Sequence, residues 1–202
     1  VSGSAWRSAL YDYIKREAQP REKFGHQPRL YALTQQIGAS ETYDDDIVYA
    51  AVYLHDLGVF TGHRPEDPEL LACWDNTAYA VAQSPAILRD LGFPEAKIPA
   101  VLEAIATHQP QHSPQTVEAT VLRDADILEQ LGAVGILRTV CKVGRDTRFH
   151  TFTDALSSLT KTLEVLPPLI RLSQARALAE PRIAALRAFL EATQAEAADN
   201  LF

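Results

Sequence analysis

The dipeptide His55-Asp56, in the stretch Tyr53-Leu54-His55-Asp56-Leu57-Gly58, sets an imidazole beside a carboxylate at the end of an apolar run. A carboxylate buried there is costly unless a positive group meets it, and a bound metal ion is the partner this pairing suggests. Three further positions extend the set: His26, Asp124 and Asp126. Two imidazoles with two carboxylates make a mixed nitrogen and oxygen donor set. Such a set suits manganese, iron, nickel, cobalt or zinc better than calcium, and leaves positions for water or substrate; magnesium completes the range of candidate divalent ions. Neighbouring residues on a helix point about 100° apart, so His55 and Asp56 can share an ion only at an edge between helices. A helix C-terminus there adds ~0.3–1 kcal/mol in favour of a cation, so the ligand bonds must do the holding.

Each candidate also has a structural reading. His26 lies on the stripe His26, Leu30, Leu33 and Ile37, spaced four, three and four, where a histidine can equally be a hydrogen-bonded core residue. Asp124 falls on the stripe Val117, Val121, Leu128 and Leu131, so periodicity places Asp124 inward and Asp126 nearly opposite. His108, just before Gln109-Pro110, closes an apolar helix and could donate a proton or contact phosphate; it could equally sit there against the helix-end carbonyls. Arg29, one turn after His26, is a candidate substrate ligand or the partner of a core carboxylate. Arg138, Lys142 and Arg145 share one helical face, suited to phosphate or to solvent. Glu118 and the trio Asp44, Asp45 and Asp46 read as acids favouring positive helix ends. His63, His112 and His150 fall in loops and receive no role.

The elements that must position these residues are helices. Trp6, Leu10, Tyr13 and Ile14 mark a first amphipathic helix closed before Pro20, and a second carries His26 to Ile37. The third opens on a cap at Thr42 or Asp44 and ends near Gly58. Thr61 to Pro68 reads as a loop, followed by helices over Glu69 to Gln83 and from Pro85 to Leu91. Further helices cover Ile98 to Ala106, Gln115 to Leu131 and Val134 to Lys142. A helical tail from Leu156 to Ala198 is broken at Pro167-Pro168 and at Pro181. Alternating patterns are nearly absent, so the expected class is all-α, a single compact multi-helix bundle over 1–202, with its metal-binding core at about 20–145 and C-terminal helices over 155–198.

The bulk numbers are those of an ordinary globular protein. A length of 202 residues suits one domain with a full core. A net charge of -7 and a pI near 5.3 argue against a nucleic acid polymer or an anionic membrane as partner. Cys73 and Cys141 are too few for a disulfide framework. That count, with no apolar core in Val1-Ser2-Gly3-Ser4, suits a cytoplasmic chain; the expected form is a monomer or homodimer.

His26-Gln27-Pro28-Arg29, then His55-Asp56, then Asp124-Ala125-Asp126 followed by Leu128 resemble, in order and spacing, the HD superfamily of metal-dependent phosphohydrolases. Val121 to Thr139, with Gly132-Ala133-Val134-Gly135-Ile136 and Arg138, is similar to one small stand-alone bacterial subgroup. So are Ala175-Arg176-Ala177-Leu178-Ala179-Glu180, Arg182 and Phe189-Leu190. The resemblance implies an HD-domain bundle holding one divalent ion on His26, His55, Asp56 and Asp126. Asp124 would then orient a ligand or a water, Asp56 and His108 would serve the chemistry, and Arg29 and Arg138 would bind substrate. The implied reaction is hydrolysis of a phosphoester or phosphoanhydride in a small metabolite, a nucleotide, by metal-activated water. Three departures stand out: Val59-Phe60 where the subgroup carries lysine, Asp75-Asn76 where it presents histidine, and Ile127 in place of arginine. They motivate an alternative, a binding or regulatory domain with a structural metal. A diiron oxygenase or lyase would need the histidine that Asn76 replaces.

Overall fold

The computed structural model describes residues 5–145, 149–198 and 200–201; Val1 to Ser4, read above for a signal peptide, lie outside the described residues. Among them are ten α-helices and no strand, the all-α class expected. The helices are α1 (Ala5–Glu17), α2 (His26–Ile37), α3 (Asp45–Leu54), α4 (Pro68–Ala72), α5 (Asn76–Asp90), α6 (Ile98–Thr107), α7 (Val117–Gln130), α8 (Gly132–Val140), α9 (Phe152–Val165) and α10 (Ser173–Ala197). Short 3-10 turns link several of them. No helix among the described residues is long and apolar enough to cross a membrane. The chain divides into two compact units, Val1–Arg123 and Asp124–Phe202.

In the first unit α3 is the central element. Every residue from Ile47 to Leu54 is buried, because α1, α2 and α6 all pack against this helix and it is apolar all round. Its start is set by Asp44, whose side chain accepts the Asp46 N–H, the cap expected of that position. Glu118, in the first turn of α7, accepts the Asp44 N–H at 2.8 Å. Trp6 meets Phe93 and Tyr49 edge-on at ring distances of 4.8 and 5.6 Å, a favoured aromatic geometry.

In the second unit α8, α9 and α10 pack on one another. The capping box expected of a well-formed helix start is present at Thr151 and Asp154 of α9. Cys73 and Cys141 are both free and exposed.

Two proline positions differ from expectation. Pro85 lies inside α5 and Pro181 inside α10, so neither breaks its helix. At the first, the Ser84 hydroxyl donates to the Ala80 carbonyl at 2.7 Å, one residue before the missing N–H. At the second, Arg182 donates to the Leu128 carbonyl at 3.3 Å and lies over Gly132, fastening the residue that follows the proline. The break falls earlier than Pro85: α4 ends at Ala72, and Asp75 caps α5 by accepting the Ala78 N–H at 2.8 Å.

Candidate metal centre

The end of α3 explains how His55 and Asp56 face one point. His55 keeps helical backbone angles and its N–H still bonds the Ala51 carbonyl at 2.9 Å. Asp56, at φ -96° and ψ 11°, leaves the helix and opens a 3-10 turn over Leu57–Val59. The turn cancels the divergence that a regular helix would impose on adjacent side chains. His26 is the first residue of α2, which packs beside α3. The N-terminus of α2 therefore offsets the C-terminus of α3, each by ~0.3–1 kcal/mol, and the side chains decide what binds.

The three side chains converge. The Nε2 atoms of His26 and His55 are 3.3 Å apart, and Asp56 Oδ2 is 3.6 Å from each. Their ligand atoms all lie within 4.8 Å of one another. Ligands bonded at about 2.0–2.2 Å to one ion in tetrahedral or octahedral geometry sit roughly 2.8–3.6 Å apart, so the triangle falls within the span of one face of such a site. The histidines are almost fully buried, while the Asp56 side chain keeps 23% of its exposure. One edge of the cluster is thus open to solvent.

The protonation pattern suits a cation. His55 Nδ1 lies 2.8 Å from the Val52 carbonyl; that oxygen can only accept, so Nδ1 carries a proton, and in the neutral ring the lone pair is at Nε2. A buried lone pair facing a carboxylate and a second imidazole fits a positive centre. His26, His55 and Asp56 could therefore hold a divalent ion.

His108 closes α6 and repeats the arrangement. Its Nδ1 donates to the Ile105 carbonyl at 2.6 Å, and its ring meets that of His55 edge-on at 5.0 Å. With Nδ1–H so engaged, Nε2 is the nitrogen left for exchange of a proton.

The remaining expected residues have these places. Arg29 lies on α2 with its guanidinium over Gly25. Asp126, half-buried on α7, bonds Gln130 through Oδ2 at 3.3 Å. Asp124 is fully buried; its carboxylate accepts the backbone N–H of Arg171 at 3.0 and 3.2 Å and of Leu172 at 2.8 Å. Arg138 pairs with buried Glu129 at 3.3 Å, and Lys142 lies over the Phe149 ring.

Two features were not legible as functional. The turn after Asp56 has no lysine of its own, yet Lys23 brings its ammonium to the Val59 carbonyl at 2.7 Å. The signal for it was its place three residues before His26. His63, given no role above, bridges Glu17 Oε2 at 3.1 Å and the Tyr79 hydroxyl at 3.0 Å.

The HD domain family model matches residues 24–131, a stretch that takes in both histidines, the His55-Asp56 pair and Asp124-Ala125-Asp126. The chain belongs to the HD domain family. This HD protein also resembles solved structures over nearly its whole length. Bacillus subtilis YpgQ in complex with ADP has a TM-score of 0.73 at 23% identity, covering 95% of this chain and 94% of that one. An HD-superfamily hydrolase from Bacillus thuringiensis has a TM-score of 0.69 at 20% identity, covering 96% and 97%. A predicted HD superfamily hydrolase from an uncultured Thermotogales bacterium has a TM-score of 0.64 at 20% identity, covering 94% and 91%. These likenesses establish the fold of HD-superfamily hydrolases. No curated protein matches this HD chain.

Proposed function

We propose that this HD protein is a metal-dependent phosphohydrolase that cleaves a phosphoester or phosphoanhydride bond in a nucleotide. The observation that carries the reading is the triangle of His26 Nε2, His55 Nε2 and Asp56 Oδ2, open on the Asp56 side. The family pattern adds Asp126 as the fourth ligand. Bound on these residues, a divalent ion supplies Lewis acidity toward a phosphoryl oxygen and makes water more acidic. Nucleotide chemistry draws support from the B. subtilis relative, which was solved with ADP.

The chain's own residues do the rest. Asp56 uses one carboxylate oxygen as ligand and the other to accept a hydrogen bond from the attacking water, holding it in line with the phosphorus. His108 Nε2 takes the proton as the water oxygen bonds to phosphorus, and can return it to the leaving oxygen as the P–O bond breaks. Asp124 orients its neighbourhood through the backbone it binds. Arg29 and Arg138 are the guanidinium groups for phosphate, and Lys23 supplies a further cation beside the turn that Asp56 opens. The substrate is a small molecule and the working form a monomer or homodimer in the cytoplasm.

The test pairs elemental analysis with a hydrolysis screen of nucleotides and simple phosphoesters under manganese, cobalt, nickel and magnesium. One ion per chain is expected in the wild type, with both ion and turnover lost in His55→Ala. Absence of turnover with every metal would overturn the reaction. Ligand-induced thermal stabilisation without product would instead favour a binding domain with a structural metal, the reading that Asn76 and Ile127 motivate.

A further inference from the structure

We propose that the cavity between the loop at His63 and the end of α4 is the pocket for the planar base of the substrate. This deepens the nucleotide reading above and rests on it. The cavity has a volume of about 490 Å³ and is lined by His63, Arg64, Pro65, Leu70, Cys73 and Trp74, a size within the roughly 300–1,000 Å³ of small-molecule sites. Its walls have the chemistry of a stacking site. Trp74 is the aromatic wall, braced from outside the lining by Tyr79 at a ring distance of 5.2 Å; Pro65 and Leu70 are apolar, and Arg64 offers a guanidinium that can stack on or hydrogen-bond a ring. None of the lining residues is a carboxylate, so the pocket tolerates the carbonyl-rich edge of a base.

Its position ties it to the metal centre. The Trp74 indole Nε1 donates to the Gly58 carbonyl at 2.8 Å, and Gly58 follows Asp56 by two residues, a backbone span of at most about 7 Å. The indole edge is thus anchored within the reach of one sugar and phosphate from the proposed ligand. The same close approach dictates glycine at position 58. A Cβ there would come within 2.5 Å of the Asn76 carbonyl oxygen, so the turn and the start of α5 could not hold Trp74 in this place.

Tryptophan fluorescence reads the pocket without turnover. The chain has two tryptophans, and Trp6 is buried in the core at 4% exposure, so quenching by a stacked base reports Trp74. Titration with the four ribonucleoside triphosphates should give saturable quenching with at least one of them and none with inorganic tripolyphosphate. Leu70, 63% exposed, can be changed without disturbing the core. Leu70→Glu and Cys73→Phe should each weaken the quenching nucleotide at least about tenfold, with melting temperatures near that of the wild type. No quenching by any of the four, or undiminished affinity in both variants, would overturn the pocket. Quenching without hydrolysis would leave the pocket standing and fail the reaction; hydrolysis of tripolyphosphate as efficient as that of nucleotides, without quenching, would do the reverse.

Discussion

His55 and His108 each end a helix and each donate Nδ1–H to the carbonyl three residues back, so in the neutral ring each presents Nε2 as a lone pair. What separates them is their neighbours. His55 Nε2 faces His26 and Asp56, the company of a ligand, whereas the His108 ring packs edge-on against that of His55. A proton carrier and a ligand should therefore respond differently to removal. His108→Gln is expected to lower kcat by about 10²-fold or more and to leave the metal content at the wild-type level. Loss of the ion together with activity, read by elemental analysis beside steady-state kinetics, would make His108 a ligand instead. The local sequence carried the histidine and its helix end, but a ring's tautomer depends on which carbonyl it reaches.

Periodicity located most helices because burial repeats with the helical turn, as along His26, Leu30, Leu33 and Ile37, all buried. It erred where proline was read as a stop. A proline removes one hydrogen bond and costs ~3 kcal/mol in a helix interior, yet α5 and α10 continue through it because neighbouring residues are held by their own contacts. Asp124 shows the same tertiary weight from the other side. Its inward placement was legible from the stripe on α7; its partners, the Arg171 and Leu172 amides that precede α10, were not. Asp124→Ala leaves those part-buried donors without this acceptor, at about 1–3 kcal/mol for the two together. The melting temperature should fall by roughly 2–12 °C, at about 2–4 °C per kcal/mol for a chain of this size. Thermal denaturation measures it, and a shift under one degree would remove Asp124 from the support of α10.

Across the molecule, a net charge of -7 puts the stability of the fold at the mercy of how its carboxylates are partnered. The acidic trio at the start of α3 is engaged by cations. Lys97 Nζ lies 2.8 Å from both Asp44 and Asp46, and Arg7 lies 2.7 Å from Asp46 and 2.8 Å from Asp45. Partial burial alone would raise the Asp46 carboxyl; hydrogen bonds from Lys97 and Arg7 hold it below its ordinary value. A carboxylate so depressed stabilises the fold above its unfolded pKa of about 3.9, and that contribution disappears as pH falls through the lower folded value. Asp46→Asn should therefore melt below the wild type at pH 7, with the gap closing below about pH 4. Melting curves across pH 2–7 provide the check; a gap that persisted unchanged at pH 2 would assign the effect to packing rather than charge.

The order of apolar and polar residues, with His26, His55-Asp56 and Asp124-Ala125-Asp126 in their spacing, determined the helical class, the family and the donor types. Each of those is written locally or in a linear pattern. Only the tertiary structure decided that His26 Nε2 meets His55 Nε2 at 3.3 Å across 29 positions of chain, that Lys23 reaches Val59, and that Trp74 stands two residues from Asp56 by way of Gly58. Helical periodicity states which face of an element is buried. Which side chains meet once it is buried follows from how the helices pack, and no spacing within one segment contains that.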